Sequence, residues 1–310
     1  MSWQCTLSNA VMRLSKWYMH GKNFTAAKAA MIKIADKPAE KAPFPDGATV
    51  EKVQFSNVNC EWVYDASLTE EQKQQVILYF HGGGFFAGSP ATHRDTAHRL
   101  SVSARMRTLL VDYSLTPEHV FPVALNQAVI VYQRLLSTGI SANKIAFGGD
   151  SAGGNLTLAV MKQLQLKGIE LPFAGFCISP WADLTHSGQS WQRNRYKEAM
   201  IPQDLLKNAA LVYAAGEPLD NPLISPVFAD MQDFPPLYVI AGATEILVDD
   251  TNRIEQQAKH CGVKVEKKIW SKAPHAFTTM ASFLPEGREA INDIGNFLTT
   301  TQSSALKSAK

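Results

Sequence analysis

The chain has 310 residues, of which 45% are hydrophobic and 19% charged, and its formal net charge is only +2. This length predicts one large α/β domain with an inserted region, and the near balance of charge argues against a nucleic-acid partner. The four cysteines lie far apart without a CxxC pair, which favours free thiols in a reducing compartment. No window reaches the ~18 consecutive apolar residues of a membrane span, and residues 1–20 lack the apolar core of an export signal. We therefore expect a cytoplasmic protein without a membrane span.

The first predicted element is a helical N-terminal segment. Residues 7–36 combine spaced apolar side chains with alanine-rich, helix-forming sequence. Lys37-Pro38, followed by Pro43 and Pro45, predicts the end of the helices and a proline-rich linker. We expect residues 1–45 to form a unit set apart from the rest of the chain.

From residue 53 onward, eight short apolar runs predict strands, and helix-length segments such as 155–167 and 249–261 separate the later ones. Alternation of this kind predicts an α/β fold with a mostly parallel sheet covered by helices on both faces. The eight runs are Val53–Phe55, Cys60–Tyr64, Val76–Phe80, Leu109–Tyr113, Ile145–Gly148, Phe173–Ile178, Leu237–Ala241 and Lys264–Ile269.

Residues 185–225 interrupt this alternation with a polar stretch and then a helical run from Asp204 to Ala215. An insertion over the sheet explains the interruption. The predicted organisation is therefore an N-terminal cap segment at 1–45, core at 46–184, a cap insertion at 185–225 and core again at 226–310. The polar sequence after Leu298 predicts a frayed tail.

The strongest local motif is Gly149-Asp150-Ser151-Ala152-Gly153, which follows a predicted strand and opens a predicted helix. A sharp strand-to-helix turn of this composition exposes a nucleophilic serine, and its glycines leave room for the turn. The helix start behind the turn directs backbone N–H groups toward the reacting centre. The alternative is a glycine-rich turn with an incidental serine.

A second motif, His81-Gly82-Gly83-Gly84, follows the strand at 76–80. Ester hydrolysis develops negative charge on a carbonyl oxygen, and glycine backbone lets N–H groups approach that oxygen. We expect Gly82, Gly83 and Ala152 to supply these donors, with His81 and Gly84 supporting the loop. On its own the motif could also be a phosphate-binding loop or a plain turn, but no G-K-[ST] sequence follows it.

A serine hydroxyl needs a base, and the base needs an acid that orients it. Behind a strand-to-helix turn of this kind, the acid and then the histidine follow the serine along the chain. Glu245 follows the strand at 237–241, and His275 follows the strand at 264–269. Asp249 and Asp250 compete with Glu245, but they fall one turn later, where they could face solvent or serve a helix start. His93 and His98 have no metal-ligand spacing, and we interpret them as surface or structural residues.

These motifs together resemble the bacterial hormone-sensitive-lipase-like esterases, also called esterase family IV, over nearly the whole chain. Two further segments add to the resemblance: 112–122, similar to the family's D-Y-R-L-A-P-E-H-x-F-P, and 179–184, which matches S-P-W-x-D-L. The family usually has D-P-L-x-D where this chain has Glu245-Ile246-Leu247-Val248-Asp249, so glutamate replaces the usual aspartate. Ser114 replaces the usual arginine, and we have no functional interpretation of that change.

The resemblance implies an α/β-hydrolase fold with a helical cap over an apolar pocket. It also implies hydrolysis of short- to medium-chain acyl esters without a cofactor or metal, and frequent homodimers. Phe85, Phe86, Trp181 and Met200 are the expected pocket residues, although their apolar character equally suits a core. Two alternatives stay open, namely cleavage of another acyl bond (lactone, carbamate or peptide) and a non-catalytic small-molecule receptor of the same fold.

Overall fold

A computed structural model describes residues 2–308 of the protein, and side chains as far as residue 303. Its eight strands form one sheet in the order β1-β2-β4-β3-β5-β6-β7-β8. Strand β2 pairs antiparallel with both β1 and β4. All the pairs from β4 across to β8 are parallel. The strands are β1 (Ala48–Phe55), β2 (Val58–Asp65), β3 (Val76–Phe80), β4 (Arg107–Asp112), β5 (Ile145–Asp150), β6 (Ala174–Ile178), β7 (Leu237–Gly242) and β8 (Val265–Trp270).

Helices cover both faces of this sheet. The α-helices are α1 (Trp3–Met19), α2 (Phe24–Met31), α3 (Lys37–Lys41), α4 (Pro90–Ala104), α5 (Val123–Ser137), α6 (Ala152–Leu166), α7 (Ser190–Arg193), α8 (Gln203–Ala214), α9 (Val248–His260) and α10 (Pro285–Ser308). A π-helical turn joins α2 to α3 at Ile32–Asp36, and short 3₁₀ turns lie at Gln72–Gln74, Ala142–Lys144, Pro226–Phe228 and Phe277–Met280.

The two-sided core follows from the alternation of side chains along each strand. In β3, Leu78 and Phe80 belong to the buried cluster that includes side chains of α5, α6 and α9, whereas Ile77 and Tyr79 belong to the cluster on the other face with α4 and α10. Because all five residues of β3 are buried, the strand is a continuous apolar run. The predicted α/β class with a mostly parallel, doubly covered sheet is confirmed.

Two predicted boundaries are wrong. Lys37-Pro38 does not end the N-terminal helices, because the helical run passes from the π-helical turn at Ile32–Asp36 directly into α3. The stretch after Leu298 is not a frayed tail up to residue 308, because α10 continues to Ser308. Leu298 itself is buried, which anchors the preceding turns against the sheet.

The interrupted segment at 185–225 contains the short helix α7 and the longer helix α8. Helix α8 contacts α2 of the N-terminal segment, so the two predicted cap pieces touch. The four cysteines are free, as expected. Among the helices described between residues 2 and 308, none is long and apolar enough to cross a bilayer.

Candidate active site

Ser151 lies at the sharp turn between β5 and α6 with φ 52° and ψ −119°. A positive φ is rare for a residue with a side chain and is typical of a strained nucleophile elbow. Close backbone approach explains the glycine two residues later, because a Cβ on Gly153 would fall on the carbonyl oxygen of Phe80. The Ser151 N–H donates to Ile178 O at 2.9 Å, which fixes the turn to the end of β6.

The glycine loop after β3, residues 81–84, faces this turn. Its backbone hydrogen bonds show that the prediction of Gly82 as an oxyanion donor is wrong. The N–H of Gly82 already donates to the Asp150 carboxylate at 3.0 Å, so it is not available to a substrate oxygen. The N–H groups of Gly83 and Gly84 donate to no protein acceptor within the described residues. Ala152 is the first residue of α6, where the N–H has no acceptor inside the helix. The available donors are therefore Gly83, Gly84 and Ala152.

We expect Gly83→Ala to lower kcat for ester hydrolysis by about 100- to 1000-fold, the usual effect of losing one oxyanion donor. Gly83 has φ +121°, and an added Cβ would overlap the carbonyl oxygen of Ala87, so the loop must shift. Gly139→Ala is the matched control, because Gly139 also has a positive φ but faces open space. Steady-state kinetics and thermal unfolding of both variants check the prediction, and equal losses of kcat would contradict it.

His275 and Glu245 meet at the carboxyl ends of β8 and β7. Glu245 Oε2 lies 2.7 Å from His275 Nδ1, and both side chains are almost fully buried. The other carboxylate oxygen, Oε1, accepts from the Ser179 hydroxyl at 2.7 Å and from the Gly242 N–H. Burial by itself lowers the pKa of His275, but the neighbouring Glu245 carboxylate outweighs it and raises the pKa above its ordinary value. This arrangement suits a base that accepts a proton while the acid stabilises the resulting charge.

Asp249 and Asp250, the competing acids, have other partners. Asp249 Oδ2 accepts the Ser190 N–H at 2.7 Å. Asp250 is buried and accepts the N–H groups of Ala182 and Asp183, both at 2.9 Å, so it does not face solvent. Both hold the segment after β6 against the start of α9, and neither contacts His275.

Three buried side chains that sequence reasoning missed hold the loops carrying Glu245 and His275. The Ser179 hydroxyl donates to Glu245 and accepts the N–H of Ala276 at 3.1 Å. From the inserted segment, the Asn194 amide donates to the Glu245 carbonyl at 2.8 Å, and Glu198 Oε2 accepts the Ile246 N–H at 3.1 Å. Ser179 could have been found from the S-P-W-x-D-L match, whereas the polar stretch containing Asn194 and Glu198 carries no such signal.

A cluster of buried polar side chains packs against the glycine loop, residues 81–84. Asp150 Oδ1 accepts the Tyr79 hydroxyl at 2.8 Å and lies 3.1 Å from His93 Nε2. Burial opposes ionisation of both groups, yet their mutual attraction raises the pKa of His93 and lowers that of Asp150. His81 stacks on Tyr113 at 4.2 Å, and burial lowers the pKa of His81 to about 3, so its ring is neutral. His93 is therefore structural, but it is not on the surface.

We expect His93→Leu to lower the free energy of unfolding by about 3–5 kcal/mol, because Asp150 would stay buried without the His93 ring that lies 3.1 Å from its carboxylate. His98→Leu is the control: His98 lies 3.3 Å from Asp65, whose side chain is 22% exposed, and we expect a loss of about 1 kcal/mol or less. Urea unfolding at neutral pH measures both, and a loss for His98→Leu as large as that for His93→Leu would contradict this account.

The four predicted pocket residues occupy different environments. Phe85 stacks on Tyr213 with ring centroids 3.8 Å apart, and Trp181 is fully buried 6.0 Å from Phe85. Phe86 packs edge-on against Phe24 of α2. Met200 lies on the inserted segment and is 36% exposed. Phe85 and Trp181 therefore pack in the core beside the elbow, and a pocket role for any of the four stays a prediction.

Residues 77–279 match the model of the Abhydrolase_3 family, described as alpha/beta hydrolase fold. An acetyl-hydrolase of Streptomyces hygroscopicus is 36% identical over 82% of this chain and 84% of its own length. An esterase of Acinetobacter venetianus is 34% identical over 83% of this chain and 84% of its own.

Solved structures agree over almost the entire chain. An esterase of the bacterial hormone-sensitive lipase family superposes with a TM-score of 0.90 at 33% identity, covering 97% of this chain and 99% of that one. EstE5 soaked with p-nitrophenyl butyrate superposes with a TM-score of 0.90 at 31% identity, covering 98% and 100%. Fold and sequence thus define a serine carboxylic ester hydrolase with the α/β-hydrolase fold. Within that class, the chain belongs to the bacterial hormone-sensitive-lipase-like esterases, which confirms the resemblance.

Proposed function

We propose that this esterase cleaves short- to medium-chain acyl esters with a Ser151–His275–Glu245 triad. The observation that carries the proposal is the buried 2.7 Å contact between Glu245 Oε2 and His275 Nδ1, on the same edge of the sheet as the Ser151 turn. The contact places a proton on Nδ1, which leaves Nε2 free to act as the base. The negative charge of Glu245 also stabilises the imidazolium that forms.

In the acylation half, His275 Nε2 takes the Ser151 hydroxyl proton as Oγ attacks the ester carbonyl. The tetrahedral oxyanion accepts hydrogen bonds from the N–H groups of Gly83, Gly84 and Ala152. His275 then gives the proton to the departing alkoxide, the bond between the carbonyl carbon and the alcohol oxygen breaks, and an acyl-serine remains.

In the deacylation half, water takes the place of the alcohol. His275 removes one water proton while the oxygen attacks the acyl carbon, and the same N–H groups hold the second oxyanion. Collapse of this intermediate breaks the bond to Ser151 Oγ, which regains its proton from His275. The carboxylic acid leaves and the enzyme is restored.

The preference for short to medium acyl chains rests on burial at the site and on two relatives. Ser151 is only 7% exposed, and the bulky side chains of Phe85 and Trp181 fill the space beside its turn. One relative is named an acetyl-hydrolase, and EstE5 was soaked with a butyrate ester. We further propose that residues 1–45 and 185–225 form the cap of this site, because α8 contacts α2 and Glu198 holds the acid loop.

Hydrolysis of p-nitrophenyl esters from acetate to palmitate tests this function. We expect the highest kcat/KM between acetate and octanoate and a fall of at least about tenfold at palmitate, because even one methylene that does not fit an apolar pocket costs about 1–3 kcal/mol. A flat profile or a maximum at palmitate would contradict the acyl preference. If the protein were inactive on every ester but cleaved a lactone, carbamate or peptide, the triad would be assigned to that acyl bond instead.

A further inference from the structure

The outward surface of α1 is more apolar than the surface that α1 turns toward the protein. Its buried residues are Cys5, Ser8 and Met19, of which two are small. Large apolar side chains face away from the protein instead. They are Trp3 (67% exposed), Leu7 (46%), Val11 (56%), Leu14 (69%), Trp17 (79%) and Tyr18 (51%).

These six side chains form one continuous stripe, called here the α1 apolar face. At about 100° per residue they fall within roughly 120° of the helix circumference. The ring of Phe283, 43% exposed, lies 5.7 Å from Trp3 and extends the face beyond the helix. Exposed apolar surface of this extent is typical of an interaction site.

Polar contacts, rather than a packed apolar face, hold α1 in place. The Asn9 amide donates to Lys272 O at 3.0 Å, Arg13 donates to Lys197 O at 3.0 Å, and Lys16 donates to Glu198 O at 2.9 Å. The helix is thus bound to the body by its less apolar side. Because the described residues leave its apolar face exposed, that face is available to another molecule.

The charge around this face is mainly positive, and the one acidic side chain among the described residues that bonds to its N-terminal end is Glu286, which accepts the Ser2 N–H. Residues 1–35 contain five basic and no acidic side chains, although the whole chain has 30 basic and 28 acidic residues. Exposed Arg195 and Lys197 lie beside α1, because Arg13 bonds to the carbonyls of Tyr196 and Lys197. One of the five basic residues, Lys22, lies 4.4 Å from the ring of Tyr18. Apart from Glu286 at the Trp3 end, the apolar face is therefore bordered by positive charge.

We propose that the α1 apolar face binds an anionic lipid surface, with α1 lying in the plane of the interface. Exposed tryptophan, tyrosine and leucine beside lysine and arginine are typical of helices that bind there. Charge also argues against a second copy of the chain as the partner, because a two-fold contact through this face would bring like charges together. The proposal goes beyond ester hydrolysis and does not depend on the triad.

Co-flotation with vesicles of phosphatidylcholine, with and without phosphatidylglycerol, tests the proposal on the full chain. We expect binding to the anionic vesicles, with a blue shift of tryptophan fluorescence. Leu14→Gln combined with Trp17→Gln should weaken binding at least tenfold, roughly the effect of exposing two large apolar side chains. Arg195→Gln combined with Lys197→Gln should weaken it by about tenfold or more, since each basic residue near the surface contributes about fivefold.

Leu166→Gln combined with Leu211→Gln is the matched control, because both leucines are 63% exposed and lie outside α1. We expect this control to bind vesicles like the wild type, and circular dichroism to show a native fold for all variants. The proposal fails if the wild type does not float with anionic vesicles, or if the control loses as much binding as the α1 variant. It also fails if light scattering shows a dimer that the α1 variant disrupts while vesicle binding is absent.

Discussion

Ser151→Ala should lower kcat for ester hydrolysis by about 10⁶-fold, as much as removal of the whole triad. Without Oγ no acyl-enzyme can form, and only binding and the oxyanion donors of the glycine loop and α6 remain to assist direct attack by water. The variant should stay folded, because alanine removes one atom from a side chain that is 7% exposed. Steady-state kinetics with p-nitrophenyl butyrate measures the loss.

Ser137→Ala is the control for this change, because Ser137 is an exposed serine at the end of α5. It should keep wild-type kcat and KM. If Ser151→Ala kept more than a hundredth of wild-type kcat while circular dichroism showed a native fold, another nucleophile would be responsible. The position of Ser151 at the elbow would then be incidental.

Glu245→Gln should lower kcat by about 10³- to 10⁴-fold. An amide can donate to His275 Nδ1, which would leave the proton on Nε2 and block its role as the base. Glu245→Asp should recover part of the loss, since it keeps the charge but is one methylene shorter. Asp249→Asn should stay near wild-type activity, because Asp249 bonds to Ser190 rather than to His275. An inactive Asp249→Asn variant together with an active Glu245→Gln variant would contradict the assignment of Glu245 as the triad acid.

The pH dependence gives an independent check on Glu245. Acylation needs neutral His275, so kcat/KM should rise with pH through the pKa of His275. The Glu245 carboxylate raises that pKa against the opposing effect of burial. Its removal in Glu245→Gln should therefore shift the acid limb of the residual activity to lower pH. A shift to higher pH, or none, would show that Glu245 does not act on His275.

Motifs that depend only on neighbours in the chain were predictable from the sequence. The turn at Ser151 needs a strand, two closely approached glycines and a helix start, and all of these lie within about twenty residues. One contact between distant segments was predictable too: Glu245 and His275 meet because parallel strands bring their carboxyl ends to one edge of the sheet. Eight strand-like runs also sufficed for the sheet and its class, although several strand ends shifted by a few residues.

Other features that depend on packing between distant segments were not predictable. Gly82 was expected to bind the oxyanion, but whether its N–H is free depends on Asp150, which is 68 residues away. The same holds for Asn194 and Glu198, which reach the acid loop from the inserted segment. Periodicity predicted α1 as a helix, but the side of α1 that faces outward follows from its polar contacts with Lys272 and Lys197.

Covalent labelling by diethyl p-nitrophenyl phosphate tests most directly whether Ser151 is a nucleophile activated by His275. One diethylphosphoryl group should add per chain, with stoichiometric release of p-nitrophenol and complete loss of esterase activity. Peptide mapping should place the group on Ser151, and His275→Ala should slow the labelling by several orders of magnitude. An adduct on another residue, or an unlabelled protein that still hydrolyses esters, would contradict this account.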